Sequence, residues 1–444
     1  MCSSVQVKEA IFVSASEPTP IQNLRLSPLD SQLFLRFTIE YLLVYKPPPP
    51  PHQGSFLLDI RSTITSRVKS ALARALVPYY PLAGRVRPTP DGSALEVVCR
   101  NQGAVFIQAV SDYTSSEFET APKYCKQWRK FLSLHVAEVL KGAPPLVVQL
   151  TWLSDGGATL AVGFSHCLCD GIGSADFLNF FAELASCKGD EPAELKACPV
   201  WNRHILNLTS ISNNNNSVNH PEFQKVPDLC GFLTRFSQER LVPTSIVFDK
   251  KKLTELKNSA NPVNWSNDSF TSFEVVAAHV WRSWARSLNL PPKQILKLVF
   301  SINIRHRVKP SFPSGYYGNA FVLGCAQTSA KDLVEKGLGH TAELIKRAKE
   351  RVDDSYVREV VESVSSERAC PDSVGVLIMS QWSRLGLDRV DFGMGRPVQV
   401  GPVCSDRYCL VLPVNAQTEG VKVNLAVPAT AVDQYVRLLR NSNV

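Results

Sequence analysis

No run of about 18 apolar residues occurs anywhere in the 444-residue sequence, which argues against a membrane-spanning helix. Residues 1–13 carry Lys8 and Glu9 in a short alternating stretch. They lack the basic start, apolar middle and small-residue cleavage site of a secretory signal, so a cytoplasmic protein is expected. The twelve cysteines show no repeated spacing and are read as free thiols in a reducing compartment. The sequons beginning at Asn207, Asn215, Asn264 and Asn267 accordingly carry little meaning. Forty-eight basic against 40 acidic residues leave a net charge of +8, too thinly spread to form a nucleic-acid face but suited to an anionic small molecule. With 44% apolar and 20% charged residues, global disorder is excluded and two or three domains are expected.

Strand and helix signals interleave, which predicts an α/β fold. Residues 95–99 and 104–110 read as strands, and 145–153 with 158–164 read as a hairpin around Ser154-Asp155-Gly156-Gly157. Further strands are expected at 245–248, 299–304 and 420–427. Helices are expected over 66–76, 127–139 and 273–287, and at the C-terminus on a stripe of Val432, Tyr435, Val436 and Leu439. Phe177, Phe180, Phe181 and Leu184 recur at helical spacing after Gly173. The proline run 47–51 reads as a stiff spacer. The polar stretch 191–227 marks a linker between an N-terminal domain, 1–190, and a C-terminal domain, 228–444.

The chemistry concentrates in ATLAVGFSHCLCDGIGSADF, residues 158–177. An apolar strand ends at His166, and an imidazole held on rigid flanks is a natural general base near neutral pH. Asp170 could orient the ring directly, or pin the loop through a distant arginine. Cys167 and Cys169, with Cys404 and Cys409 downstream, raise a metal reading. The Cys-Leu-Cys spacing is too close for zinc, so no metal site is assigned. Downstream, Asp391-Phe392-Gly393 evokes a kinase, but no Gly-rich loop, Val-Ala-x-Lys strand or His-Arg-Asp loop accompanies it.

Taken together, His166-Cys-Leu-Cys-Asp170 with Gly171, and Asp391-Phe-Gly-Met-Gly395, resemble the two signatures of the plant BAHD acyltransferases, His-x-x-x-Asp-Gly and Asp-Phe-Gly-Trp-Gly. Five ordered landmarks extend the resemblance over nearly the whole chain: 26–30 (LSPLD), 79–85 (YYPLAGR), 272–279 (SFEVVAAH), 303–305 (NIR) and 317–319 (YGN). The resemblance implies a two-domain α/β fold similar to chloramphenicol acetyltransferase, with mixed sheets flanked by helices and a tunnel between the domains. It implies transfer of an acyl group from acyl-CoA, as co-substrate and with no bound cofactor, to the hydroxyl of a small-molecule acceptor. His166 would be the base, and Asp170 would pair with Arg305 and hold the loop together with Gly171.

By the same resemblance Ser380, Trp382 and Asn319 are candidate donors at the reacting carbonyl. Lys257, Thr271 and Ser272 are candidates for the CoA phosphates. Asp391 is carried with the catalytic set but expected to be structural, with Gly393 and Gly395 supporting its turn and Met394 replacing the usual tryptophan. A monomer is implied. The competing readings are a non-catalytic homologue and a lyase on the same fold. The residues leave the donor (aliphatic, benzoyl or hydroxycinnamoyl) and the acceptor open.

Overall fold

The computed structural model describes residues 4–441 apart from 48–56, 120–124, 137, 187–197, 207–219, 262–269, 367–370, 404–407 and 415–418. The proline run from Pro48, most of the polar linker, all four sequon asparagines and Cys404 lie outside the described residues. Among the described residues, fifteen strands form three sheets. They are β1 (Val5–Val13), β2 (Gln22–Arg25), β3 (Thr38–Tyr45), β4 (Arg85–Pro88), β5 (Leu95–Cys99), β6 (Ala104–Ser111), β7 (Leu146–Trp152), β8 (Ala158–Ser165), β9 (Leu241–Asp249), β10 (Ile295–Asn303), β11 (Phe321–Ser329), β12 (Val376–Gln381), β13 (Gln399–Pro402), β14 (Tyr408–Pro413) and β15 (Gly420–Pro428).

The first large sheet runs β1-β6-β7-β8-β3-β13 and the second β11-β10-β12-β14-β15-β9. Both are mixed, with β6/β7, β10/β12 and β12/β14 parallel. β2, β5 and β4 make a small third sheet, so the neighbouring strands at 95–99 and 104–111 part company. Every residue of β7 and β8 is buried, as expected for strands covered on both faces. One face of the first sheet sends Tyr41, Phe106, Val148 and Phe164 into a core shared with Phe177 and Phe181 of the helix Gly171–Ser186. That helix packs on the helix Leu57–Ala75. The other face packs Leu42, Ile107 and Val147 against Trp128 and Phe131.

The second sheet turns Leu377, Met379, Cys409 and Val411 towards the helices Ser272–Leu288, Leu338–Glu350 and Val432–Arg440. Alternation sends Leu410 and Leu412 the other way, into the first sheet's core with Trp382, Phe392 and Met394. Side chains of the second sheet thus reach the core of the first. β13 pairs antiparallel with β3, so the stretch bearing Asp391 returns to the first sheet although it lies within the expected second domain.

The expected helix 127–139 is corrected: helix covers only Cys125–Arg129. The amide of Ser133 leaves the helical ladder for Oε1 of the buried Gln149 on β7, at 2.6 Å. None of the described helices is long and apolar enough to cross a membrane.

Candidate active site

β8 ends at Ser165, paired with Thr38 at the start of β3, and the amide of His166 donates to the carbonyl of Phe37 at 2.9 Å. The imidazole is half-buried and lies between two phenyl rings, Phe37 at 5.3 Å and Phe321 at 6.1 Å. Its Nδ1 is buried and has no hydrogen-bond partner. Burial lowers the His166 pKa below the ordinary histidine value, against the upward pull of its own carbonyl, Asp170, Asn319 and Asp30. That shift favours the neutral ring, the form a proton acceptor needs.

Asp170 is buried and accepts four hydrogen bonds. Arg305 donates two, Nη1 to Oδ2 at 2.8 Å and Nη2 to Oδ1 at 3.1 Å. The amides of Gly173 and Ala320 supply the others at 3.0 and 3.1 Å. None of the four donors is the imidazole. Of the two sequence readings, this geometry belongs to loop pinning: one carboxylate caps the helix beginning at Gly171 and ties it to Arg305. Burial alone would raise the Asp170 carboxyl pKa, but Arg305 and the two amides outweigh it and hold the group below the usual carboxylate range. Burial pushes the neighbouring Cys167 and Cys169 thiols up to about 12, so at neutral pH they are protonated.

Asn319 departs from expectation. Its Nδ2 donates to Asp30 Oδ1 at 2.9 Å and to the His166 carbonyl at 2.8 Å. Both amide protons are spent, so it braces the histidine loop and is not a free donor for a reacting carbonyl. Trp382 is buried with its Nε1 unpartnered, and its ring stands 5.3 Å from that of Tyr41. A Cβ on Gly171 would lie 3.3 Å from the indole, so this glycine lets Trp382 approach the start of the helix. Ser380 is half-buried two residues before it on β12, on the same side of the strand.

The expected phosphate site is not an open anion site. Thr271 caps the helix Ser272–Leu288, with its hydroxyl accepting the Glu274 amide and its own amide donating to the Glu274 carboxylate. The helix start thus already carries an anion, which Lys349 neutralises at 2.5 Å. Lys257 is half-buried on the helix Lys250–Ala260.

Asp391 is remote from His166. Its Oδ1 accepts the amides of Gly393, Met394 and Gly395 at 2.7–2.9 Å, closing a turn. The preceding carbonyl, of Val390, is held by the Tyr45 hydroxyl. Tyr45 pairs with Ala158, at the opposite end of β8 from Ser165, about 23 Å away at about 3.3 Å per residue. Its place in the catalytic set is corrected to a structural one. Gly393 has a φ of +83° and would bring a Cβ within 2.0 Å of the Arg67 guanidinium. Gly393→Ala should therefore cost about 1–3 kcal/mol of stability, seen as a lower melting temperature with little change in the KM for acyl-CoA.

Sequence reasoning missed Arg203 as a site residue, and met Asp30 only as the last residue of a landmark. Both are almost fully buried and form an ion pair of 2.6 Å. The Ser27-x-x-Asp30 spacing is a local turn signal, and Ser27 does donate to Asp30. Nothing local marks Arg203.

A family model described as "Transferase family" matches residues 3–437. A taxadien-5-alpha-ol O-acetyltransferase of Taxus chinensis is 31% identical over 97% of this chain and 95% of its own length. An omega-hydroxypalmitate O-feruloyl transferase of Arabidopsis thaliana is 33% identical over 83% and 80%. The crystal structure of vinorine synthase superposes with a TM-score of 0.75, covering 98% of both chains at 21% identity.

Proposed function

Because the chain belongs to the Transferase family, the plant BAHD acyltransferases, we propose that His166 is the general base with which it transfers acyl groups. The protein is an acyl-CoA-dependent acyltransferase on a two-domain, chloramphenicol-acetyltransferase-like α/β fold, and its acceptors are hydroxyl compounds. The observation that carries the role of His166 is a half-buried imidazole at a rigid strand end, backed by a fully bonded Asp170–Arg305 pair.

In this reading the imidazole takes the proton of the acceptor hydroxyl as its oxygen attacks the thioester carbonyl. The tetrahedral intermediate then expels the CoA thiolate, and the proton passes from His166 to that sulfur. The oxyanion needs a donor, for which the unpartnered Trp382 Nε1 and the Ser380 hydroxyl are proposed. Acyl-CoA and alcohol would reach His166 from opposite ends of a passage between the two sheets, with Lys257 as a candidate phosphate contact. No bound cofactor or metal takes part in the proposed reaction, and the enzyme is proposed to act as a cytoplasmic monomer.

An apolar alcohol is the proposed acceptor class. The phenyl rings of Phe37 and Phe321 flank the base, and the acceptors named for two relatives, a hydroxylated fatty acid and a terpenoid alcohol, are largely hydrocarbon. The purified protein, offered acetyl-, benzoyl- and feruloyl-CoA with long-chain and terpenoid alcohols, should release free thiol only when alcohol is present, and the product should have the mass of the ester. Thiol release that ignores the alcohol, or a cleavage product in place of an ester, would overturn the reading.

A further inference from the structure

The loop from His166 to Asp170 is gripped at every second residue, each time from a different part of the chain. The His166 carbonyl accepts Asn319 Nδ2 at 2.8 Å, the Leu168 carbonyl accepts Arg203 Nη2 at 2.8 Å, and the Asp170 carboxylate accepts Arg305. The first two grips share one anchor. Asp30 Oδ1 accepts both the amide and Nδ2 of Asn319 at 2.9 Å, and Oδ2 accepts Arg203 Nη1 at 2.6 Å with the amide and hydroxyl of Ser27 at 3.0 and 2.6 Å.

The side chains of Arg203 and Asp30 are only 2% and 0% exposed. Arg203 is brought there by backbone bonds, Val200 to Gly315 and Tyr317 to Val200, that lay residues 200–203 beside 315–318. Gly318 leaves the room: a Cβ there would stand 2.4 Å from Arg203 Nη1. A charged pair this dry is costly to assemble, and hydrophobic residues of similar size would fill the space at less cost. Its geometry has a specific output, since one guanidinium fork spans Asp30 and the Leu168 carbonyl.

We infer that Arg203 and Asp30 form a second positioning pair for the base, fixing through Leu168 and Asn319 the loop that presents the His166 ring. The inference rests on the reading of His166 as the base. Arg203 holds the Leu168 carbonyl and Asp30 holds Asn319, which in turn holds the His166 carbonyl, so both act on the ring through the backbone that carries it. A lysine at 203 keeps the charge for Asp30 but has no planar fork with which to hold both partners.

The test is steady-state kinetics of the full chain at saturating alcohol with acyl-CoA varied. Arg203→Lys should lower kcat by about 10- to 100-fold, the loss expected for a misplacement on the order of 1 Å. KM for acyl-CoA should stay within about threefold, because both side chains are buried and bonded to the loop and its supports. The circular dichroism spectrum should match that of the parent. Asn319→Ser, which releases the His166 carbonyl and leaves both charges in place, should show the same split between kcat and KM, and it decides the matter if Arg203→Lys does not fold. A folded Arg203→Lys or Asn319→Ser with the parent kcat overturns the inference. His166→Ala, run alongside, separates the two claims: if it keeps the parent rate, the base assignment itself falls, whereas an inactive His166→Ala beside a fully active Arg203→Lys sinks only the positioning pair.

Discussion

His166→Ala is expected to lower kcat by about 10²- to 10⁴-fold, the range that a positioned proton acceptor contributes. The fold should survive, because the ring is half-buried, its Nδ1 has no partner, and the loop's grips are made by the backbone of residue 166 and not by its side chain. The parent enzyme should also show a characteristic pH profile. Burial lowers the His166 pKa, so on acidification the imidazole stays neutral to a lower pH than a free histidine. The kcat/KM for acyl-CoA should accordingly rise with pH along a limb centred below about 6.5, the unperturbed value, and be flat with respect to this group above it. In His166→Ala that limb should vanish with the rate. A limb retained in the variant, or one centred well above 6.5 in the parent, would mean that another group carries the proton.

What the sequence disclosed follows the range of the forces involved. The hairpin 145–164 and the stripe of Phe177, Phe181 and Leu184 are local patterns, and both were legible as β7–β8 and the helix Gly171–Ser186. The His166–Asp170 spacing was legible as a strand-end loop for the same reason. The misread helix over 127–139 failed because a buried glutamine on a neighbouring strand captures the Ser133 amide, and residue propensities do not register a partner 16 positions away. β13 was missed for a similar reason: four residues that complete an edge beside β3 carry little periodicity of their own. Arg203 and Asp30 are 173 residues apart, and their pairing exists only in three dimensions. Asn319 was given a free amide, since a sequence cannot show that Asp30 and the His166 carbonyl already occupy it.

Asp170→Asn is expected to cost about 3–5 kcal/mol of stability, the usual consequence of removing one partner from a buried ion pair. The asparagine can still accept from Gly173 and cap the helix, but Arg305, whose side chain is 12% exposed, is left with an uncompensated charge. The sign with pH follows from the depressed carboxyl pKa. The parent's contribution from this group is fully present above the unfolded value of about 3.9 and is lost as pH falls through the lower folded value. Acid unfolding monitored by circular dichroism should therefore separate the parent from Asp170→Asn at neutral pH, with the two curves converging in strong acid. Pairing Asp170→Asn with Arg305→Met removes the orphaned cation and should return much of the lost stability. The rate should not return with it: the loop would be packed and still held at His166 and Leu168, but without its charged tie at residue 170 the His166 ring would be less firmly placed. A double variant that recovers both stability and kcat would show that the Asp170–Arg305 bridge serves the fold alone.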